Sequence, residues 1–476
     1  MQDDYEIVIL GAGLAGLACG IKFAEKNIPA LIIEKEDSVG GLSRSIRRDG
    51  FIFDLGGHRF LPKDKEIEIF SKSLFNNEAL GVIDRKSQIL MSNKFLMYPP
   101  EIKDILRKLG PLTCAECVLG GLYRRARHNI LKDAEKSLRD WLLNRFGKKL
   151  YEIYFGPYSS KLWGKDASEI SADWAAQRIS VSSISVAMRH LLSKRHTQTY
   201  ARNFLYPKGG IGQIAEQMAA RVSVKGKIHT GHTIKKVTRC PGGFRVESQN
   251  KKGRQVFFAR KLVCTIPLPD FVLMFEEDIS NSVKEAAKNL SFRSIRFLNI
   301  MIDAPQITDN TWIYIPESKY IFFRIQELIN WHPENCAADK TSLTLEIACE
   351  KNDKRWQMDD KELLRLCLED LKKMGFDLRN KVIGYFSSFA EHAYPVYTMD
   401  YAEHLNKIYE YFKGQDDIIL CGRQGLFRYI NMDDCMKTGF LAADSFGDEN
   451  KRTDLLSAVH SKEYLEKNLY WRRNEL

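Results

Sequence analysis

The residues with the most legible chemistry are three glycines and an acid. Gly11-Ala12-Gly13-Leu14-Ala15-Gly16 follows an apolar run of strand type at residues 5–10, and Glu34 closes a second apolar run at residues 30–33. Between them an alanine-rich, helix-compatible segment reaches about Lys26, where Asn27 and Pro29 end it. Strand, glycine turn, helix, strand and acid together form the context of a dinucleotide-binding fingerprint. Gly11 permits the tight turn, and Gly13 lets backbone N–H groups approach a pyrophosphate at the positive end of the helix. Gly16 lets that helix pack close to the sheet. Glu34 stands where a ribose hydroxyl is bound. The stretch specifies a dinucleotide and leaves NAD and FAD open.

Other reactive types are sparser. Cys114-Ala115-Glu116-Cys117 is a lone CxxC with no second pair and no nearby histidine, so it reads as incidental spacing. No metal constellation and no Ser–His–Asp spacing stands out. His58 lies in Asp54-Leu55-Gly56-Gly57-His58-Arg59, one of two Gly-Gly turns beside short apolar runs; the other is Gly40-Gly41. Such turns bring backbone close to a flat or charged ligand, and an NAD-only domain has no use for them.

The elements that must position these residues follow from periodicity. Ile102, Ile105, Leu106 and Leu109, then Leu138, Trp141, Leu142, Phe146 and Leu150, recur at helical spacing and predict an inserted helical domain. A helix over 213–222, strand-like pieces at 229–237, 243–247 and 256–258, and a strand over 261–267 predict a small antiparallel unit and a return to the dinucleotide sheet. Residues 295–349 are rich in β-branched and aromatic types and predict a second, substrate-side sheet, with a connecting helix over 361–374. A last strand, 417–421, ends at Gly422 ahead of a helix from about Asp433. The fold class expected is α/β, a discontinuous Rossmann-type domain (1–95, 201–290, 391–476) carrying a helical insertion (96–200) and a mixed or antiparallel sheet domain (291–390).

Composition bounds the rest. The 476 residues suffice for two or three domains, and 44% hydrophobic with 28% charged residues is ordinary for a globular chain. No apolar run reaches the ~20 residues of a membrane span, and the first residues lack the basic n-region of a signal peptide. Ten scattered cysteines fit a reducing cytoplasm. The net charge of +11 is partly concentrated in Arg124-Arg125-Ala126-Arg127-His128 and Lys194-Arg195-His196. These read first as solvated helix faces. The functional alternatives are attraction of an anionic substrate and contact with an anionic membrane surface. Nothing resembles a nucleic-acid module, and a homo-oligomer is compatible with the sequence.

Gly40-Gly41-Leu42-Ser43-Arg44 resembles the segment that follows the fingerprint in FAD enzymes of the amine oxidase and glutathione reductase type, which places Gly41 and Arg44 near the cofactor and makes that cofactor FAD. Over most of its length the chain resembles UDP-galactopyranose mutases and their relatives among the amine oxidase and protoporphyrinogen oxidase-like flavoproteins. The residues that carry the likeness are Gly56-Gly57-His58, Tyr158-Ser159-Ser160-Lys161-Leu162-Trp163-Gly164, Thr311-Trp312-Ile313-Tyr314, Tyr394-Pro395, and Gly422-Arg423-Gln424-Gly425-Leu426-Phe427-Arg428-Tyr429. The resemblance implies that Gly57, His58, Gly422, Arg423 and Met432 join the fingerprint in holding flavin. It gives Tyr98, Trp163, Tyr314, Tyr394 and Tyr429 to the substrate, and Arg178 and Arg324, with His58, to the catalytic centre. His58, beside the flavin, is expected to donate to the isoalloxazine.

Three arginines, Arg178, Arg324 and Arg423, would give a cleft with planar donor forks suited to phosphate, and the tyrosines add hydroxyl donors at low entropic cost. The implied activity is pyranose–furanose isomerisation of a nucleotide-diphospho-sugar, through a sugar adduct on N5 of reduced flavin, with NAD(P)H as a candidate external reductant. The alternative is net oxidation or desaturation of a sugar, lipid or amine. Two departures bear on the choice. Asn431 stands where bacterial mutases carry an aspartate, and Glu101 stands where eukaryotic ones carry an amide that helps seat the base. A carboxylate cannot donate as an amide does.

Overall fold

Alternation of buried side chains explains the architecture. In strand β1 (Asp3–Leu10), Ile7 and Ile9 pack into one core while Val8 and Leu10 pack into another, and in β2 (Ala30–Ile33) Ile32 and then Leu31 and Ile33 divide in the same way. A sheet buried on both faces must be covered by helices on both, the condition for an α/β sandwich. The computed structural model describes residues 3–75, 79–98, 102–178, 203–275 and 279–446.

The first sheet has seven strands in the order β10-β11-β12-β1-β2-β9, with β18 also paired to β12. Its members beyond β1 and β2 are β9 (Lys227–His229), β10 (Thr233–Cys240), β11 (Gly243–Asn250), β12 (Gly253–Cys264) and β18 (Ile418–Leu420). The expected antiparallel unit and the expected return strand are one element. The first half of β12 forms a hairpin with β11, and the second half runs parallel to β1 and β18. Helix α1 (Leu14–Glu25) and the helices Gly212–Val222 and Met432–Ser445 supply the core on one face.

The second sheet also has seven strands, ordered β17-β13-β16-β15-β14-β6-β7. They are β6 (Ser87–Met91), β7 (Lys94–Tyr98), β13 (Phe292–Ile302), β14 (Trp312–Tyr314), β15 (Arg324–Glu327), β16 (Thr341–Cys349) and β17 (Val382–Pro395). The expected boundary at residue 95 is therefore corrected. β6 and β7 leave the dinucleotide unit because β6 pairs in parallel with β14, its Ile89 opposite Tyr314. Short ribbons β3 (Ser45–Arg48) with β4 (Phe51–Asp54), and β5 (Leu80–Asp84) with β8 (Asn203–Pro207), complete the strands.

Helix α2 (Lys65–Ser73) precedes the helical insertion, which comprises α3 (Ile102–Leu109), α4 (Pro111–Leu131), α5 (Leu138–Leu150), α6 (Gly156–Trp163) and α7 (Ala172–Arg178). Among the described residues no helix is long and apolar enough to cross a membrane, and all ten cysteines are free.

Candidate active site

A continuous cavity of about 480 Å³ connects the glycine turn to the second sheet. Its first end is built almost entirely from backbone. Gly11 takes φ +103° and its N–H donates to Ile33 O at 2.8 Å, which fixes the turn to the end of β2. A Cβ on Gly16 would stand 2.0 Å from Gly11 O, so α1 reaches the turn only because residue 16 has none. Gly13 caps α1, a Cβ there would meet nothing within 4 Å, and no acid occupies the first turn of the helix. The result is an open, positively poled helix end of the kind that accepts a pyrophosphate.

Glu34 is buried and does more than the sequence suggested. One carboxylate oxygen accepts from Ala12 N–H at 2.8 Å and the other from Glu36 N–H at 3.0 Å. Burial pushes its pKa up, and the residue lines the cavity. Gly40 N–H donates to Ala12 O at 2.8 Å, bringing the second glycine turn over the first. Arg44 donates to Gly41 O at 3.2 Å and pairs with Glu36 at 3.4 Å.

The middle of the cavity is the Gly56-Gly57-His58 turn. It is anchored by Asp54, which is buried and accepts from the Ser45 and Tyr206 hydroxyls, each at 2.6 Å, and from Ile211 N–H at 3.2 Å. Burial still raises Asp54 to about 6. A Cβ on Gly57 would lie 2.6 Å from the Trp312 ring, so the turn and β14 are in direct contact. His58 lines the cavity from this turn. Its Nδ1 lies 3.0 Å from Gly56 O. A carbonyl only accepts, so Nδ1 carries the proton. Burial, then the charges of Arg423 and Arg324, lower its pKa to about 4. In this arrangement the neutral ring offers Nε2 as an acceptor.

The far end is built from side chains brought together by register. Tyr314 on β14 is opposite Arg324 on β15, which is opposite Glu346 on β16, which is opposite Phe297 on β13. Alternate residues of these strands, Ile313, Ile325, Leu345 and Ile347, face the other way into the core. Arg324 Nε and Nη2 donate to the two Glu346 oxygens, both at 2.7 Å. Glu346 is fully buried. Burial opposes charge on Arg324, and the Glu346 carboxylate outweighs it, so the guanidinium stays firmly protonated. Three of its five N–H donors remain for a ligand.

Arg423 donates to Ile430 O at 3.3 Å and to Ala393 O, and its guanidinium lies 4.0 Å from the Tyr429 ring centroid and 5.1 Å from that of Tyr394. Burial raises the Tyr394 hydroxyl, which stays a neutral donor. Trp163 is 6.2 Å from Tyr394 and Tyr158 is 6.2 Å from Tyr314, ring to ring.

The cavity wall thus gathers Gly11, Gly13, Glu34, Gly41, Arg44, Gly57, His58, Gly422, Arg423 and Met432 with Trp163, Tyr314, Arg324, Tyr394 and Tyr429. Gly16 lies behind the wall, as its packing role requires. Tyr98 is also outside it and packs behind Tyr314 at 5.7 Å. Arg178 ends α7; its side chain, like Glu101, lies outside the described residues. Asn431, the noted departure, forms a capping box with Asp434 at the start of the helix Met432–Ser445. Sequence reasoning missed Glu346, whose signal was a lone carboxylate in the otherwise uncharged strand Thr341–Cys349. It also left Trp312 and Trp174, both on the wall, without a role.

The open glycine cradle, the acid beside it and a cavity extending well beyond them fit FAD. A family profile described as flavin containing amine oxidoreductase matches residues 14–445. The chain is 22% identical over 288 residues to the chloroplastic protoporphyrinogen oxidase of Nicotiana tabacum, a match that covers 56% of this chain and about half (51%) of that protein. In structure it is similar to a reduced UDP-galactopyranose mutase, with a TM-score of 0.82, 20% identity, and coverage of 96% of this chain and 98% of the other. A protein from Exiguobacterium sp. 255-15 described as a protoporphyrinogen oxidase gives a TM-score of 0.69 at 18% identity, covering 94% and 99%.

Proposed function

The chain belongs to the flavin containing amine oxidoreductase family and is an FAD-dependent enzyme, and within that family we propose that it acts on a nucleotide-diphospho-sugar as a mutase of the UDP-galactopyranose mutase type. The observation that carries this reading is the lining of the far end of the cavity, where Arg324 and Arg423 stand among Tyr158, Tyr314, Tyr394 and Tyr429. Oxidation of an amine has little use for that set, whereas a diphosphate needs it. The one acid in the row, Glu346, is committed to Arg324.

When bound, reduced flavin supplies an electron-rich nitrogen. The chain's own part is to bind and orient. The three free N–H donors of Arg324 and the tyrosine hydroxyls take phosphate oxygens, and the rings of Trp163 and Tyr158 exclude water. The sugar is thereby held against the flavin face. Arg178 is proposed as a further phosphate ligand and NAD(P)H as the external reductant. Ten free cysteines suit a reducing compartment such as the cytoplasm.

A second reading, net oxidation, is favoured by the relatives named as oxidases and by the Arg324–Glu346 pair, which cancels one positive charge of the cleft. Anaerobic reduction with dithionite, mixing with a panel of nucleotide-sugars and chromatography of the products separates the two. An isomer formed without net flavin oxidation supports the mutase. Substrate-dependent reduction of oxidised flavin, with no isomer, overturns it in favour of oxidation.

A further inference from the structure

Helix α4 presents its apolar residues outward. Leu112, Leu119, Leu122, Tyr123 and Ile130 fall within an arc of about 100° at 100° per residue, and Leu112, Leu119, Tyr123 and Ile130 are 75%, 65%, 68% and 79% exposed. The opposite side is the packed one. Cys117 and Gly121 are buried, and a Cβ on Gly147 of α5 would lie 2.6 Å from Gly121 N. This is the reverse of an ordinary surface helix, and an apolar stripe of this kind marks a docking surface.

Charge identifies what docks. Residues 102–132 hold seven Lys and Arg against two acids, so they carry five of the chain's net eleven positive charges. Both acids are engaged, Asp104 by Lys108 at 2.7 Å and Glu116 by Lys149 at 2.8 Å. Among the described residues, no carboxylate pairs with Arg124, Arg125 or Arg127. A second copy would bring the same positive charge against this face. A single helix face of 21 residues, ~31 Å long and ~10 Å wide, also offers only ~300 Å² against the ~800 Å² a side that stable interfaces bury. A phospholipid surface needs no matching area and supplies the phosphates.

We propose that the outward face of α4 rests on an anionic phospholipid bilayer, with the helix lying in the interface and Arg125 and Arg127, which flank the apolar arc, at headgroup level. The test uses the full-length, flavin-loaded protein, sedimented with vesicles of phosphatidylcholine alone and with vesicles of phosphatidylcholine and phosphatidylglycerol in equal parts. The wild type is expected to pellet with the second and not the first, and to be released by high salt. Leu119→Glu is expected to lower partitioning at least tenfold, and Arg127→Gln about fivefold, with flavin content and melting temperature unchanged in both. Ile130→Glu serves if Leu119→Glu loses flavin. Equal pelleting with both vesicle types, pelleting with neither, or anionic binding undiminished in the variants overturns the proposal. So does a dimer in sedimentation velocity that Leu119→Glu dissociates while vesicles leave the wild type in solution.

Discussion

The two ends of the cavity are built from different materials. At the dinucleotide end, consecutive backbone atoms of residues 11–16 and 40–41 make the site, and the side chains that matter are mostly those that are missing. At the other end nearly everything is side chain, and Tyr314, Arg324 and Glu346 owe their proximity to strand register. A backbone site fails when an atom is added to it. A side-chain site fails when a charge or donor is taken away. Substitutions at the two ends should therefore separate loss of cofactor from loss of chemistry.

The largest effect is expected from Gly16→Ala. Its Cβ would stand 2.0 Å from Gly11 O, a clash with backbone that cannot be relieved by a rotamer. It should lower stability by about 3 kcal/mol or more and abolish flavin retention, read from the flavin-to-protein absorbance ratio and the melting temperature. A holoprotein of normal flavin content would break the contrast.

Next is Arg324→Ala, expected to reduce turnover by ~100-fold or more while leaving flavin content nearly intact. Because the change strands a buried carboxylate, at a cost of about 3–5 kcal/mol, it should be paired with Arg324→Ala/Glu346→Gln. The double variant should regain stability without regaining turnover, and near-wild-type turnover in either variant would remove Arg324 from the catalytic centre.

His58 gives a smaller, pH-dependent effect. Its folded pKa, about 4, lies below the ordinary 6.5, so the unfolded chain takes up a proton between these values while the folded chain does not. The stability it contributes is present above pH 6.5 and is lost as pH falls toward 4. Between pH 7 and 5 the wild type should lose at most about 2 kcal/mol more than His58→Asn, as measured by urea unfolding at the two pH values. Parallel losses in the two proteins would show that the imidazole is not held neutral by its surroundings. The smallest effect is expected for Arg44→Ala at the dinucleotide end. Its pair with Glu36, 3.4 Å apart, is partly exposed, so stability should fall by ~1 kcal/mol or less, with flavin affinity, measured by dialysis against free FAD, reduced only slightly.

The same division explains what could be read before the structure. The fingerprint, Glu34 and the helix Asp360–Lys373 are local, and their residues carry the pattern in contiguous sequence. The cavity-facing residues of the second sheet were found singly, by family resemblance, and their partnerships were not. Glu346 was passed over because a lone acid in an apolar strand has no meaning until its arginine, 22 residues away, is brought opposite it. Ser87–Met91 was misassigned because a short strand has no signature that says which sheet it joins, and its pairing with Trp312–Tyr314 spans more than two hundred residues. Which nitrogen of His58 holds the proton was not legible, because only the fold puts Gly56 O against Nδ1.

By itself, then, the sequence determined a dinucleotide site at residues 11–34 and an α/β frame with inserted helices, and family resemblance added some of the residues that line the far end. Backbone geometry and helix polarity over a short stretch depend on neighbours in the chain, so such features are written where they act. Only the tertiary structure decided that Arg324 is half-spent on Glu346, that His58 offers an acceptor, that Tyr98 stands behind the wall, and that α4 turns its leucines outward. Each of these depends on which strand or helix lies alongside, and that is settled by packing across hundreds of residues.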